Sequence, residues 1–305
     1  MILGKKWVGS VLLGIFLLPI SSCGPGKSSD ALLQYARGVT LFEEGLISTK
    51  ENHESLSYIS PQKEVIIFTR SDKKYSKSSL YISQFLNNQW TPPTKLEITK
   101  SDYEAGISFS PDYSKAFFTN KFQLKNGNST NLWNIWEIEH DGKYHFLEKT
   151  ARPLGNPINS EYQDCCLTMN SNGSAYFSSN RDGTWDIYSA DYVNHSFQNI
   201  QKLKHPINTD ESGEWPSHIN QANSVLLFSS IRKNGLGGDD IYMSHKKNGA
   251  WQKPILLGDS INSKFYEDSA SVTLDSSYFF FSSGKPFDEI EGVNNIYISK
   301  IQPKK

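Results

Sequence analysis

The sequence predicts an all-β protein in which one four-stranded antiparallel unit is copied five times. Three observations carry that expectation. Self-similar segments of about 50 residues begin at Ile47, Ile98, Ile158, Ile207 and Ile261. An acidic residue holds a fixed phase in each copy: Glu54, Glu104, Asp164, Glu214 and Glu267, separated by 50, 60, 50 and 53 residues. After Asp30 no segment sustains a 3.6-residue apolar period, apart from a turn or two around "DALLQYARG", whereas Tyr, Phe and Trp fall in short runs bounded by Gly, Asn, Asp and Ser. Sheets repeated at this period close into a β-propeller. Five anchors imply five blades, with six as the alternative count.

Each copy offers four strands, shown by the fourth: a short one over Pro216 to Asn220, a hydrophobic one over Val225 to Ser230, one built on Ile-Tyr over Asp240 to Ser244, and one with Trp and Pro over Trp251 to Leu257. The turn between the first two reads "PQKE", "PDYS", "SNGS", "QANS" and "LDSS", residues that adopt turn dihedrals at little cost. The 60-residue spacing absorbs the insertion "FQLKNGNSTN". The fifth copy ends after its third strand, near Ile301. Val39 to Ile47, "VTLFEEGLI", is the spare strand expected to lie beside Asn295 to Ile301 and close the ring without an unpaired edge.

The N-terminus reads as a targeting segment. Lys5 and Lys6 precede an apolar stretch from Val8 to Ile20 that is short for a membrane span. It ends in Ile20, Ser21, Ser22 and Cys23, which resembles a bacterial lipobox and makes Cys23 the expected site of lipid attachment. The expected organisation is a signal peptide over 1–22, the lipidated cysteine with a flexible tether over 23–37, and one propeller over 38–305. Cys165 and Cys166 are adjacent; they read as small residues beginning a buried strand, with a strained vicinal disulfide as the alternative. A net charge of -1 supplies no basic excess for nucleic acid.

The stretch "SSIRKNGLGGDDIYMS", Ser229 to Ser244, poses a choice between phosphate cradle, metal site and turn. A cradle needs the glycine loop to open onto a helix N-terminus, and here a strand follows. Asp240 aligns with Asp186, Asn295 and Ser79, all at strand starts. The reading is a turn, with a cation held by Asp239 and Asp240 as the weaker alternative.

The copies resemble the TolB-type, WD-like propeller repeat. Ser110, Pro111 and Asp112 keep its first element and Ser60 and Pro61 part of it; Tyr176 to Arg181, "YFSSNR", and Asp186 to Tyr188 keep the others. The similarity runs from Leu41 to Gln302 and includes "GLIST" at Gly45 to Thr49, as in exported bacterial proteins with five such copies. Tyr113 stands where the repeat has Gly, and Gly284-Lys285 where it has a residue and Arg. The resemblance implies the fold, and beyond it an envelope binding or scaffolding module, since propellers host unrelated activities.

The five acids are the most regular constellation. If the first strands line a central channel, Glu54, Glu104, Asp164, Glu214 and Glu267 ring one mouth. Either Lys121, Arg181, Arg232, Lys285 and, one position out of phase, Arg70 neutralise them, or the ring binds a cation or polar ligand. Trp90, Trp136, Trp185 and Trp251 read as inter-blade core. Trp215 directly follows Glu214 where other copies carry Ser55, Ala105, Cys165 and Asp268, and with His218 on the inner strand it is a candidate ligand platform. The seven histidines show no zinc spacing, no Gly-x-Ser-x-Gly elbow is present, and no cofactor is expected. The sequence therefore points to a monomeric, membrane-anchored lipoprotein of the bacterial envelope, on the outer membrane or cell surface. It would be a non-catalytic module engaging a protein or glycan partner, with a carbohydrate-active hydrolase or lyase using channel-mouth carboxylates as the alternative.

Overall fold

The second strand of each copy decides the layering. The computed structural model describes residues 31–35, 38–121, 132–285 and 292–302. In it Val225–Ser230 and Tyr278–Ser283 are buried at every position. A strand covered on one face would alternate; these do not, because each is sandwiched between neighbouring blades. The period of two survives in where the side chains go. Phe279 and Phe281 pack with Leu227 and Met243 of blade four, while Tyr278 and Phe280 pack with Leu56, Ile66 and Phe68 of blade one.

Five antiparallel sheets result, one per copy. The inner strands are Asn52–Ile59, Glu104–Phe109, Asp164–Met169, Glu214–Ile219 and Glu267–Val272. Blade four shows the full order: Glu214–Ile219, Val225–Ser230, Asp240–Lys247, then a broken outer strand, Ala250–Trp251 and Ile255–Leu256. The expected continuous strand over Trp251 to Leu257 is thus split, its middle held by side-chain contacts such as Ser244 Oγ donating to Gln252 O at 2.7 Å. Every inner strand carries a bulge two or three residues past its repeated acid. One core cluster fills each junction between blades.

Val39–Leu41 completes the fifth blade, pairing antiparallel with Asn295–Lys300: Val39 opposite Ser299, Thr40 opposite Ile298 and Leu41 opposite Tyr297. The strand is shorter than the expected Val39 to Ile47. After Phe42, whose N–H donates to Ile296 O at 2.8 Å, Glu43 and Gly45 take positive φ (45° and 75°). That turn carries the chain from the outer edge of blade five towards the inner strand of blade one. Residues 31–35, expected within the tether, are packed instead: Ala31, Leu32 and Tyr35 are buried against Phe42 and Trp90. The lipobox with Cys23 lies outside the described residues.

An asparagine clamp joins successive blades. Asn208 Oδ1 accepts from Ile187 N (2.8 Å) and its Nδ2 donates to Ile187 O (2.9 Å) and Leu203 O (2.7 Å). Asn159 grips Ile135 and Asn262 grips Ile241 in the same way, and Ser48 grips Ile296 at the closing junction. Each clamp ties the third strand of one blade to the loop that opens the next.

Ring closure gives a stability prediction. Phe42 is fully buried, with ring centroids of Tyr35, Trp90 and Phe280 at 5.2, 5.5 and 5.4 Å. Phe42→Ala should lower the urea unfolding free energy by about 3–5 kcal/mol, the range for removing a buried phenyl group.

Candidate functional site

The acid that heads each inner strand is fully buried in all five blades. Glu54 Oε1 accepts from Thr49 Oγ1 (2.7 Å) and Arg70 Nε (3.0 Å). Asp164 takes Ser160 N and Oγ at 2.6 and 2.8 Å and Arg181 Nη2 at 2.7 Å. Glu214 takes Thr209 Oγ1 at 2.9 Å and Arg232 Nη2 at 3.2 Å; Glu267 takes Ser263 N and Oγ and Ser283 Oγ. Arg70, Arg181 and Arg232 also reach the carbonyls of Ile47, Ile158 and Ile207, and Lys285 Nζ reaches that of Ile261 at 2.8 Å. Blade two departs: Thr99 N and Oγ1 hold Glu104, while Lys121 Nζ lies over the rings of Trp133 (4.4 Å) and Tyr103 (5.1 Å). The expected ring of acids at a channel mouth is therefore not met. The bulk of the side chain turns from the channel into the blade, where the loop hydroxyls and cations are.

Burial raises the pKa of Glu54 to about 7, against hydrogen bonds from Thr49 and the charge of Arg70. It does the same for Glu214, to about 7, and for Glu104, to about 6.

The blades enclose a channel of about 1020 Å³ to which all five contribute. At one mouth the turns between first and second strands are closed by their own side chains. Ser60 Oγ accepts from Glu64 N and Val65 N, and Asn220 Oδ1 from Ser224 N and Val225 N. Lys63, Tyr113, Gly173, Asn223 and Ser276 all take positive φ there, so Tyr113 adopts the conformation that the repeat's glycine would.

The other mouth is built from two positions per junction. One is the residue after the acid: Ser55, Ala105, Cys165, Trp215, Asp268. The other stands at or just before the start of the third strand of the blade before: Asn294, Ser78, Trp133, Trp185, Asp239. At three junctions inter-blade hydrogen bonds hold them together, with Glu214 N donating to Trp185 O (3.0 Å), Glu267 N to Asp239 O (2.7 Å) and Glu54 N to Asn294 O (2.8 Å). The rim is thus a ring of couplets: Ser78 with Ala105, Trp133 with Cys165, Trp185 with Trp215, Asp239 with Asp268, Asn294 with Ser55. All but Asn294 line the channel.

Trp185 and Trp215 meet with ring centroids 6.2 Å apart and both line the channel, so Trp185, expected in the core, joins Trp215. Asp239 and Asp240 diverge. Asp240 is buried, its Oδ2 accepting from Leu236 N (2.8 Å) and Gly237 N (3.3 Å), while Asp239 faces the channel. Among the described residues no three His, Cys, Asp or Glu side chains gather to hold a metal. The glycine loop that opens this strand serves close approach. A Cβ on Gly237 would sit 2.4 Å from Ser263 O, and one on Gly238 2.5 Å from the Tyr266 ring. Glycines there let the loop lie on residues 263–266 and bring Asp239 beside Asp268.

Desolvation, then the charges of Asp268 and Asp240, raise Asp239 to about 7. Desolvation raises Asp268 to about 6, against a hydrogen bond from Ser269. His218 faces the channel between the mouths, half-buried; desolvation lowers it to about 4, so the imidazole is neutral at pH 7. Cys165 and Cys166 lie in the same wall, unbonded, with Sγ atoms 3.0 Å apart. Asp268, Trp185 and the asparagine clamps were missed by sequence reasoning. The "IN" opening three copies signalled the clamps, and the charge of Asp268 among small counterparts signalled the couplet.

The chain is a five-bladed β-propeller. Among solved structures, an α-L-arabinofuranosidase from Lactobacillus brevis shares 12% identity over 86% of this chain and 96% of that one, with a TM-score of 0.52. TolB from Acinetobacter baumannii shares 13% over 81% and 54%, TM-score 0.47, and a puromycin-hydrolyzing peptidase from Mycobacterium tuberculosis 10% over 79% and 45%, TM-score 0.43. This chain spans about half the length of the last two. At these identities the likeness extends to the fold alone. No family model and no curated protein matches the chain.

The raised acids fix a pH dependence. An acid whose pKa rises on folding binds its proton more tightly in the folded chain, so stability is lost as pH climbs from the unfolded value near 4 to the folded value near 7. Glu54, Glu104, Glu214, Asp239 and Asp268 all act in this direction. The melting temperature should fall between pH 5 and pH 8. Asp268→Asn should melt above the parent at pH 8 and together with it at pH 4, as followed by circular dichroism.

Proposed function

We propose that the chain is a non-catalytic binding module of the bacterial cell envelope, lipid-anchored through Cys23, that engages a protein or glycan partner at the couplet-lined mouth of its channel. One observation carries the reading. The acids repeated in every blade are consumed by architecture, whereas the rim positions between them differ from junction to junction and present indole and carboxylate surfaces to a channel of about 1020 Å³. A concave site with aromatic walls and a few polar groups is what recognition of a ligand or partner segment requires. The envelope location rests on Lys5, Lys6, the apolar Val8 to Ile20 and the lipobox-like residues 20–23.

A carbohydrate-active hydrolase or lyase is the second reading. It loses the five buried acids, and one observation still favours it: Asp239 and Asp268 face the same channel, as a pair of carboxyl groups in glycoside hydrolysis would.

Crosslinking in intact cells separates the two. A species crosslinked to the parent chain should be lost in Trp215→Ala, whose melting temperature stays within a few degrees of the parent. Polysaccharide turnover by the purified chain, abolished by Asp268→Asn, would overturn the binding reading in favour of the enzyme. Cys23→Ser should move the protein from the membrane to the soluble fraction, and its retention at the membrane would count against the anchor.

A further inference from the structure

The rim of the channel is chemically lopsided. The Trp185–Trp215 couplet stands at the junction of blades three and four, and the Asp239–Asp268 couplet at the next junction round the ring. We propose that these two couplets together form a site for an organic cation, a primary ammonium or guanidinium on an apolar stem, of the kind a lysine or arginine side chain of a protein partner presents. This inference rests on the binding reading above and names the chemistry its site selects.

Three observations support it. The Oδ1 atoms of Asp239 and Asp268 are both shut off from water and have no hydrogen-bond partner. Buried carboxylate oxygens without donors are the exception in folded chains, and an arriving cation offsets the unbalanced carboxyl charge from the channel side, which both residues line. The chain already uses this chemistry one couplet away, where Lys121 Nζ lies over Trp133 and Tyr103. No described Lys or Arg lies over Trp185 or Trp215, which leaves their π faces to a ligand's cation and their edges to its stem.

Other ligand classes fit less well. A calcium ion takes 6–8 oxygens, and here two carboxylates converge with no third acidic, His or Cys side chain among the described residues. An anion meets two carboxyl groups. A neutral sugar suits the indoles but leaves the acids with nothing that needs them.

The test titrates the full chain with three probes, followed by tryptophan fluorescence and calorimetry: an end-capped Gly-Lys-Gly peptide, the same peptide acetylated on its ε-amine, and spermidine. The Lys peptide should bind saturably and at least about tenfold tighter than its acetylated form. The Asp239→Asn, Asp268→Asn double variant should lose at least about tenfold in affinity while melting no lower than the parent, so that lost binding is not lost folding. Equal affinity for the acetylated peptide, or a double variant that binds normally, would overturn the proposal. Spermidine bound more tightly than the peptide would overturn the assignment to a protein side chain in favour of a free polyamine. If neither cationic probe binds but the crosslinked partner is still lost in Trp215→Ala, the cation site falls and the binding module stands.

Discussion

The structure depends on a buried acid with two jobs. Its carboxylate gathers the hydroxyl and amide of the loop arriving from the previous blade, and in four blades a cation closes that loop by bonding its carbonyl. Its own N–H, where the inter-blade bond forms, reaches back to the previous blade's third strand. A charge this deep is costly unless it is paired and hydrogen-bonded, so four of the five copies keep acid, hydroxyl and cation together. Blade two shows the tolerance of the scheme. There the hydroxyl remains, the cation has moved to an aromatic pair, and Glu104 Oε2 and both amide atoms of Asn120 are left without hydrogen bonds.

That constraint separates architecture from chemistry. Once the acid and its partners are fixed, the next residue must face the channel, and its identity is free. Trp215 and Asp268 occupy the same place in adjoining blades, as do Trp185 and Asp239. Asp239 and Asp268 work against the fold at neutral pH, being desolvated with one oxygen each unsatisfied. Groups that weaken a fold and break its internal symmetry are those a functional site retains.

Much of the wheel was legible because a repeat exposes its own rules. The spacing of Glu54, Glu104, Asp164, Glu214 and Glu267 gave the blade count, and the missing fourth strand of the last copy gave the partner at Val39. What stayed hidden is side-chain direction. A strand with a bulge two or three residues past its acid does not hold a strict period of two, so an acid and its neighbour cannot be assigned to blade or channel by counting. The acids were placed on the rim, and Asp268, one residue on, was passed over. The glycines of "GLGGDD" read as a turn; the reverse turn closes at Gly235, whose N–H donates to Arg232 O at 2.8 Å, and the later glycines follow in an irregular loop. Their purpose, backbone contact with residues 263–266 of the next blade, depends on a surface that no local pattern contains.

The account is tested most directly at a repeated acid whose cation is in place. Asp164 is sealed, with Arg181 Nη2 at 2.7 Å and Ser160 N at 2.6 Å. Removing it in Asp164→Ala leaves the Arg181 guanidinium without its counter-charge and frees the loop between blades two and three. Denaturant unfolding should show about 3–5 kcal/mol of lost stability, the range for breaking a buried pair from one side, with ligand binding by the chain that remains folded unchanged. Full stability together with lost binding would contradict the account, because the acids would then belong to the site and not to the frame.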